Sequence, residues 1–84
     1  MLYRVILPKK AQKDLDRIDV KYASRIKAAL IGLASNPYIG KKLEGQYSRQ
    51  HSYRVWPYRI IYEIYKQELV VLIIRIAHRQ GAYK

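Results

Sequence analysis

The segment AHRQGAYK (residues 77–84) places His78, Arg79 and Tyr83 within six positions, directly after an apolar run. These three side chain types share a chemistry. A guanidinium stays protonated, and its planar fork grips two phosphate oxygens at once. Histidine trades protons near neutrality, and tyrosine does so where basic neighbours lower its pKa. Together they suit work on a phosphate ester. A polar tail after a last strand accounts for the same residues, so the decision rests on what the fold brings alongside them.

The elements that must position this segment are legible from periodicity. Residues 2–7 (LYRVIL) are rich in β-formers and are closed by Pro8, which also suits the start of a helix. Ala11, Leu15 and Ile18 then form one apolar stripe among Lys9, Lys10, Lys13, Asp14, Asp16 and Arg17. A second helix is predicted over residues 20–34, with Tyr22, Ile26, Ala29, Leu30 and Leu33 on one side and Arg25 and Lys27 on the other. Asn36-Pro37 stops it. Residues 39–50, with two glycines and four charges, predict an ordered but irregular loop.

Beyond that loop the period changes to two. Residues 53–56 and 58–65 read as strands split by Pro57, residues 66–68 as a turn, and residues 69–77 as a nearly all-apolar strand, central or covered on both faces. The prediction is a single α+β domain over residues 1–84, in the order β-α-α-β-β-β. A helical hairpin packs on one face of a mainly antiparallel four-stranded sheet. Tyr3, Tyr22 and Tyr62 are expected at core edges with their hydroxyls in water. Trp56 is expected to pack against the loop, and His51 to be structural.

Such a sheet has an open face. Alternation places Arg59, Ile61, Glu63 and Tyr65 on one side of their strand, and Arg54 shares a side with Trp56. If Arg54 and Arg59 point away from the helices, they meet His78, Arg79 and Tyr83 at the edge of that face.

Charge narrows the partner. Seventeen Lys and Arg against six Asp and Glu give a net charge of +11, and the sequence pI is near 10.1. The basic residues run from Arg4 to Lys84 and so belong to the folded surface, which favours a polyanionic partner. Nucleic acid, an acidic protein and an anionic membrane are all candidates, and Lys9, Lys10, Lys13, Arg17, Arg25, Lys41 and Lys42 are candidate contacts, to RNA in the first case. There is no cysteine, so disulfides and thiolate chemistry are excluded. Two histidines and six scattered carboxylates have no metal-ligand spacing, and no glycine-rich phosphate loop or Ser-His-Asp set is present, so neither metal nor cofactor is expected. MLYRVILPKK is too short and too soon charged for a signal peptide, and no apolar run approaches the roughly 20 residues of a membrane helix. A cytoplasmic protein without a membrane partner is expected.

The loop GKKLEG (residues 40–45), the strand pair YRVWPYRIIYEI (residues 53–64) and the ending IRIAHRQGAY (residues 74–83), taken in this order and spacing, resemble the RelE toxins. These are the ribosome-dependent mRNA endonucleases of toxin–antitoxin pairs, within the RelE/ParE superfamily. The resemblance implies a RelE-like fold and a set of site residues. Arg59 stands in the Tyr-Arg-hydrophobic-hydrophobic-Tyr strand motif, Arg79 just past the last strand, and Tyr83 near the C-terminus, with His78 before the second arginine. Arg54 matches one basic residue of the preceding strand, while Ser52 stands where a further lysine is found in relatives. The Trp56-Pro57 connector is also shortened, and the sequence ends before a C-terminal helix found in some relatives.

By this resemblance RNA is cut without metal: its 2′-hydroxyl attacks the adjacent phosphate while the enzyme aligns, deprotonates, stabilises charge and protonates the leaving oxygen. Arg59 and Arg79 take the charge, Arg54 adds field or positions the backbone, Tyr83 is base or orienter, and His78 is a candidate acid. The expected partners are the ribosome, mRNA and a cognate antitoxin, acidic and partly disordered. The free toxin is expected to be monomeric and to enter a larger complex with the antitoxin. Two other functions stay open: a ParE-like toxin that inhibits DNA gyrase, and a degenerate, non-catalytic RNA-binding relative.

Overall fold

The computed structural model describes residues 2–78; of Tyr47 it describes the backbone. Arg79 and Tyr83 therefore lie outside the described residues. The elements are β1 (Arg4–Ile6), α1 (Lys9–Asp16), α2 (Val20–Ser35), β2 (Lys41–Lys42), β3 (His51–Val55), β4 (Tyr58–Tyr65) and β5 (Val70–His78). Two short 3-10 turns, Pro37–Ile39 and Gly45–Tyr47, flank β2.

The sheet order is β1-β5-β4-β3-β2. β1 runs parallel to β5, and the other neighbours are antiparallel. The predicted order of helices and strands is therefore present, with one addition. Residues 39–50 were expected to be irregular, yet Lys41 and Lys42 pair with Ser52 and His51 as a fifth strand. Two lysines have no strand-forming preference of their own; pairing with the start of β3 supplies it. β5 lies between β1 and β4, which explains its almost wholly apolar composition.

Both helices begin and end where local chemistry directs. The Pro8 carbonyl accepts the first bond of α1 from the Gln12 N–H at 2.8 Å, so its missing N–H costs nothing there. The Asp19 side chain caps α2 by accepting from the Lys21 N–H at 3.1 Å. Asn36 ends α2 and accepts from the Tyr38 N–H at 3.1 Å, starting the next turn. α1 packs on β5, and α2 packs on β1 and β3. Ala11 and Leu15 from α1 and Ala23, Ile26 and Leu33 from α2 join Ile60, Tyr62, Val71, Ile73 and Ile76 of the sheet in one buried core. No helix among the described residues is long and apolar enough to cross a membrane.

Tyr62 departs from the expectation of a wet hydroxyl. It is fully buried, and its hydroxyl donates to the Pro37 carbonyl at 2.6 Å. Burial pushes its pKa up to about 12, with the Gly40 backbone opposing the rise. Gly40 is what lets the chain pass this close. A Cβ there would run into the Tyr62 hydroxyl and stand 3.0 Å from the Ser52 carbonyl oxygen.

Candidate nucleic-acid interface

The helices cover the face of the sheet that carries Ile60, Tyr62 and Ile73. The opposite face follows from register, because cross-strand partners point to the same side. Lys41 pairs with Ser52, Ser52 with Ile61, and Ile61 with Arg75. One step along, Arg54 pairs with Arg59, and Arg59 with Ala77. The two-residue connector Trp56-Pro57 fixes this: Val55 and Tyr58 close the hairpin, so Arg54 and Arg59 must stand opposite each other. Their Cβ atoms are then roughly 5 Å apart.

Lys41, Leu43, Ser52, Arg54 and Arg59 together line a groove of about 160 Å³. Arg54 is exposed, Arg59 half-buried, and Ser52 forms a buried floor. Like charges placed directly opposite destabilise a strand pair. A sheet that keeps Arg54 against Arg59, with Lys41 alongside, breaks a local rule of the kind that functional sites break. An anion between the cations offsets the repulsion, and a phosphate with several oxygens suits two planar forks.

A bulge in β5 decides what else reaches this face. Ile61 pairs with Arg75 but Tyr62 pairs with Ile73, so Ile74 is an extra residue that shifts the phase of the strand. Arg75 thereby joins the open face. The sequence offered one signal for Arg75, as the single charge inside the run LVVLIIRIA; its side could not be read without the bulge. The same shift places His78 elsewhere than expected. His78 pairs with Tyr58, on the helix side, not with Arg59. Its ring meets the Tyr58 ring edge-on at 5.7 Å, Tyr58 lies 5.9 Å from Tyr22, and the Arg25 guanidinium sits 5.8 Å from the Tyr22 ring centre.

The site residues expected from sequence thus divide. Arg54, Arg59 and Lys41 come together; His78 and Arg25 belong to an aromatic stack on the other face. Lys9, Lys10, Lys13 and Arg17 are exposed on or beside α1, and Lys42 pairs with His51 on the helix side. Trp56 is 56% exposed at the hairpin tip. His51 opens β3.

A family model described as the ParE toxin of type II toxin–antitoxin systems, parDE, matches residues 5–83. The chain belongs to this family. The ParE-family assignment agrees with solved structures across the RelE/ParE superfamily. A chain in the RelBE2 toxin–antitoxin complex from Mycobacterium tuberculosis is 26% identical with TM-score 0.88, covering 94% of this chain and 100% of that one. A chain of the archaeal RelE–RelB complex from Pyrococcus horikoshii is 27% identical with TM-score 0.79, over 98% and 100% of the two chains. A free-state mutant of Escherichia coli RelE, at 20% identity and TM-score 0.82 over 98% and 88%, shares the fold. No curated protein matches the chain by sequence.

Proposed function

We propose that this ParE-family toxin is a RelE-type mRNA interferase, a ribosome-dependent endoribonuclease that cuts translated messages and so inhibits translation. The observation that carries the reading is the Arg54–Arg59 pair beside Lys41 on the uncovered face of the sheet. In the proposed reaction the RNA 2′-oxygen loses its proton and bonds to the adjacent phosphorus, while the bond to the 5′-oxygen breaks and that oxygen takes up a proton. The products are a 2′,3′-cyclic phosphate and a 5′-hydroxyl. Arg59 and Arg79 hold the phosphoryl oxygens as charge builds, and Arg54 orients the strand. Among the described residues, the groove is lined by no histidine and no carboxylate. Following the RelE resemblance, Tyr83 is assigned the proton at the 2′-oxygen, with the ribosome completing the alignment. His78, which faces away from the groove, serves the Tyr58 stack in this reading.

The toxin–antitoxin complexes among its structural relatives support a cognate antitoxin for this chain. An acidic antitoxin answers the +11 charge, and the exposed Val20 and Ile31 of α2 offer it apolar contact. The match to the ParE toxin family favours the second reading, a ParE-like toxin that inhibits DNA gyrase. One experiment separates the two. Brief induction in cells, with message 5′ ends mapped for wild type and for Arg59→Ala, is expected to give cuts inside translated codons that disappear in the variant. Growth arrest with intact messages and a DNA-damage response identifies gyrase as the target instead.

A further inference from the structure

A larger concavity lies at the other end of β4, where the proposed reaction does not use it. β3 begins at His51 opposite Tyr62, so Glu63, Ile64 and Tyr65 continue past it with β5 on their other side. The notch left there has a volume of about 570 Å³, within the usual range for small-ligand sites. Its walls include Tyr38, Lys42, Arg49, His51, Glu63 and Tyr65.

These walls divide into three chemical functions. Lys42 and Arg49 are exposed cations at its rim. Tyr38 and His51 supply ring faces held in place by other rings: His51 is 5.5 Å from Tyr62 and meets Tyr38 edge-on at 6.3 Å. Glu63 accepts the Tyr65 hydroxyl at 2.6 Å through one carboxylate oxygen, which orients the group. The Nδ1 of His51 is buried with no hydrogen-bond partner among the described residues. Burial, and then the Lys42 charge, hold the His51 pKa below its ordinary value. At neutral pH the ring is therefore a stacking and hydrogen-bonding surface and adds no third cation.

Cations for a phosphate, ring faces for a base and an oriented carboxylate for an exocyclic amine are the parts of a nucleotide site. Arg59 and Glu63 lie on the same side of β4, four residues and about 13 Å apart, so one RNA strand can touch both. We propose that this notch holds one unpaired nucleotide of the RNA strand whose scissile phosphate lies in the Arg54–Arg59 groove, with preference for bases that carry an amino group. The proposal rests on the nuclease reading for the identity of the strand. An acidic protein segment is the competing occupant, but the oriented Glu63 carboxylate disfavours it.

The test uses wild-type toxin and fluorescent 2′-O-methyl hexanucleotides, which lack the attacking hydroxyl and stay intact. Oligo-A and oligo-C are expected to bind at least fivefold more tightly than oligo-U. Arg49→Ala and His51→Ala weaken oligo-A at least fivefold, while Glu63→Gln removes the preference over oligo-U. Arg49 is exposed, so its variant carries the test if His51→Ala fails to fold. Equal binding of the three oligonucleotides, unmoved by Arg49→Ala, overturns the proposal even where cells still show message cleavage. Competition by an acidic peptide without any base preference overturns it as well. If messages stay intact in cells while the amine preference and its loss in Glu63→Gln are both seen, the notch stands and the nuclease reading falls.

Discussion

The Asp14 carboxylate accepts a hydrogen bond from the Ile76 backbone N–H at 3.0 Å, joining α1 to β5 two residues before His78. The bond has a clear purpose. β1 pairs with β5 only as far as Leu72, so among the described residues the strand beyond it has no neighbouring strand on that side. α1 covers that stretch, and Asp14 satisfies an N–H that would otherwise be orphaned in a partly buried place. It also fixes β5 just past the bulge.

Asp14→Ala is accordingly expected to lower stability by about 1–3 kcal/mol, the cost of leaving a buried donor unmet. Asp14→Asn keeps an acceptor oxygen and is expected to recover most of that loss. Urea unfolding of the two variants measures the difference; equal destabilisation would show that the charge, and not the acceptor, matters.

Arg54 opposite Arg59 should trade stability against function. Arg54→Glu converts a repulsive cross-strand pair into an attractive one and is expected to raise stability by about 0.2–1 kcal/mol. The same change places a carboxylate at the proposed RNA phosphate site, so binding of single-stranded RNA should fall sharply. Thermal unfolding and anisotropy on one protein preparation read both effects. A variant that is less stable than wild type would contradict the account of this pair.

The Tyr62 hydroxyl makes two substitutions costly. Tyr62→Phe leaves the buried Pro37 carbonyl without its partner, expected to cost about 1–3 kcal/mol. Gly40→Ala forces a methyl group against that hydroxyl, expected to cost about 1–3 kcal/mol by overpacking. Because the folded pKa of Tyr62 is raised, its contribution is complete below 10.0, the ordinary tyrosine value, and is lost as pH climbs toward about 12. Tyr62→Phe should unfold with a flatter alkaline limb than wild type.

His51 acts at the other end of the scale. Its folded pKa is lowered from 6.5, first by burial and then by Lys42. Just below 6.5 the unfolded chain therefore binds more protons than the folded one. Stability from this residue is intact above that value and declines as pH falls through the window beneath it. His51→Gln should show a shallower loss between neutral pH and mildly acidic pH, measured as the denaturation midpoint at a series of pH values.

The helices were open to reading because their packing repeats in the sequence. Ala11 and Leu15, then Ile26 and Leu33, mark the buried stripes at helical spacing, and all four are in the core. The hairpin of β3 and β4 was similarly legible from alternation around Pro57. β2 was not, because Lys41 and Lys42 become a strand only through their partners Ser52 and His51. The burial of Tyr62 depends on a carbonyl 25 residues away, which no local pattern reveals. The largest departure at the site has one cause. The extra residue in β5 changes which side each later residue takes, bringing Arg75 to the open face and turning His78 to the other. A strict two-residue period cannot register such a bulge.

The central claim is that the arginines of the open face cut RNA. Its most direct measurement is the single-turnover yield of 2′,3′-cyclic phosphate from mRNA on programmed ribosomes, with purified wild-type toxin and with Arg59→Ala. The account predicts cleavage by wild type and a fall of about 10²–10³-fold in the variant, the usual effect of removing one preorganised charge donor. Cleavage by Arg59→Ala within twofold of wild type would contradict it, as would wild-type toxin that leaves the message whole.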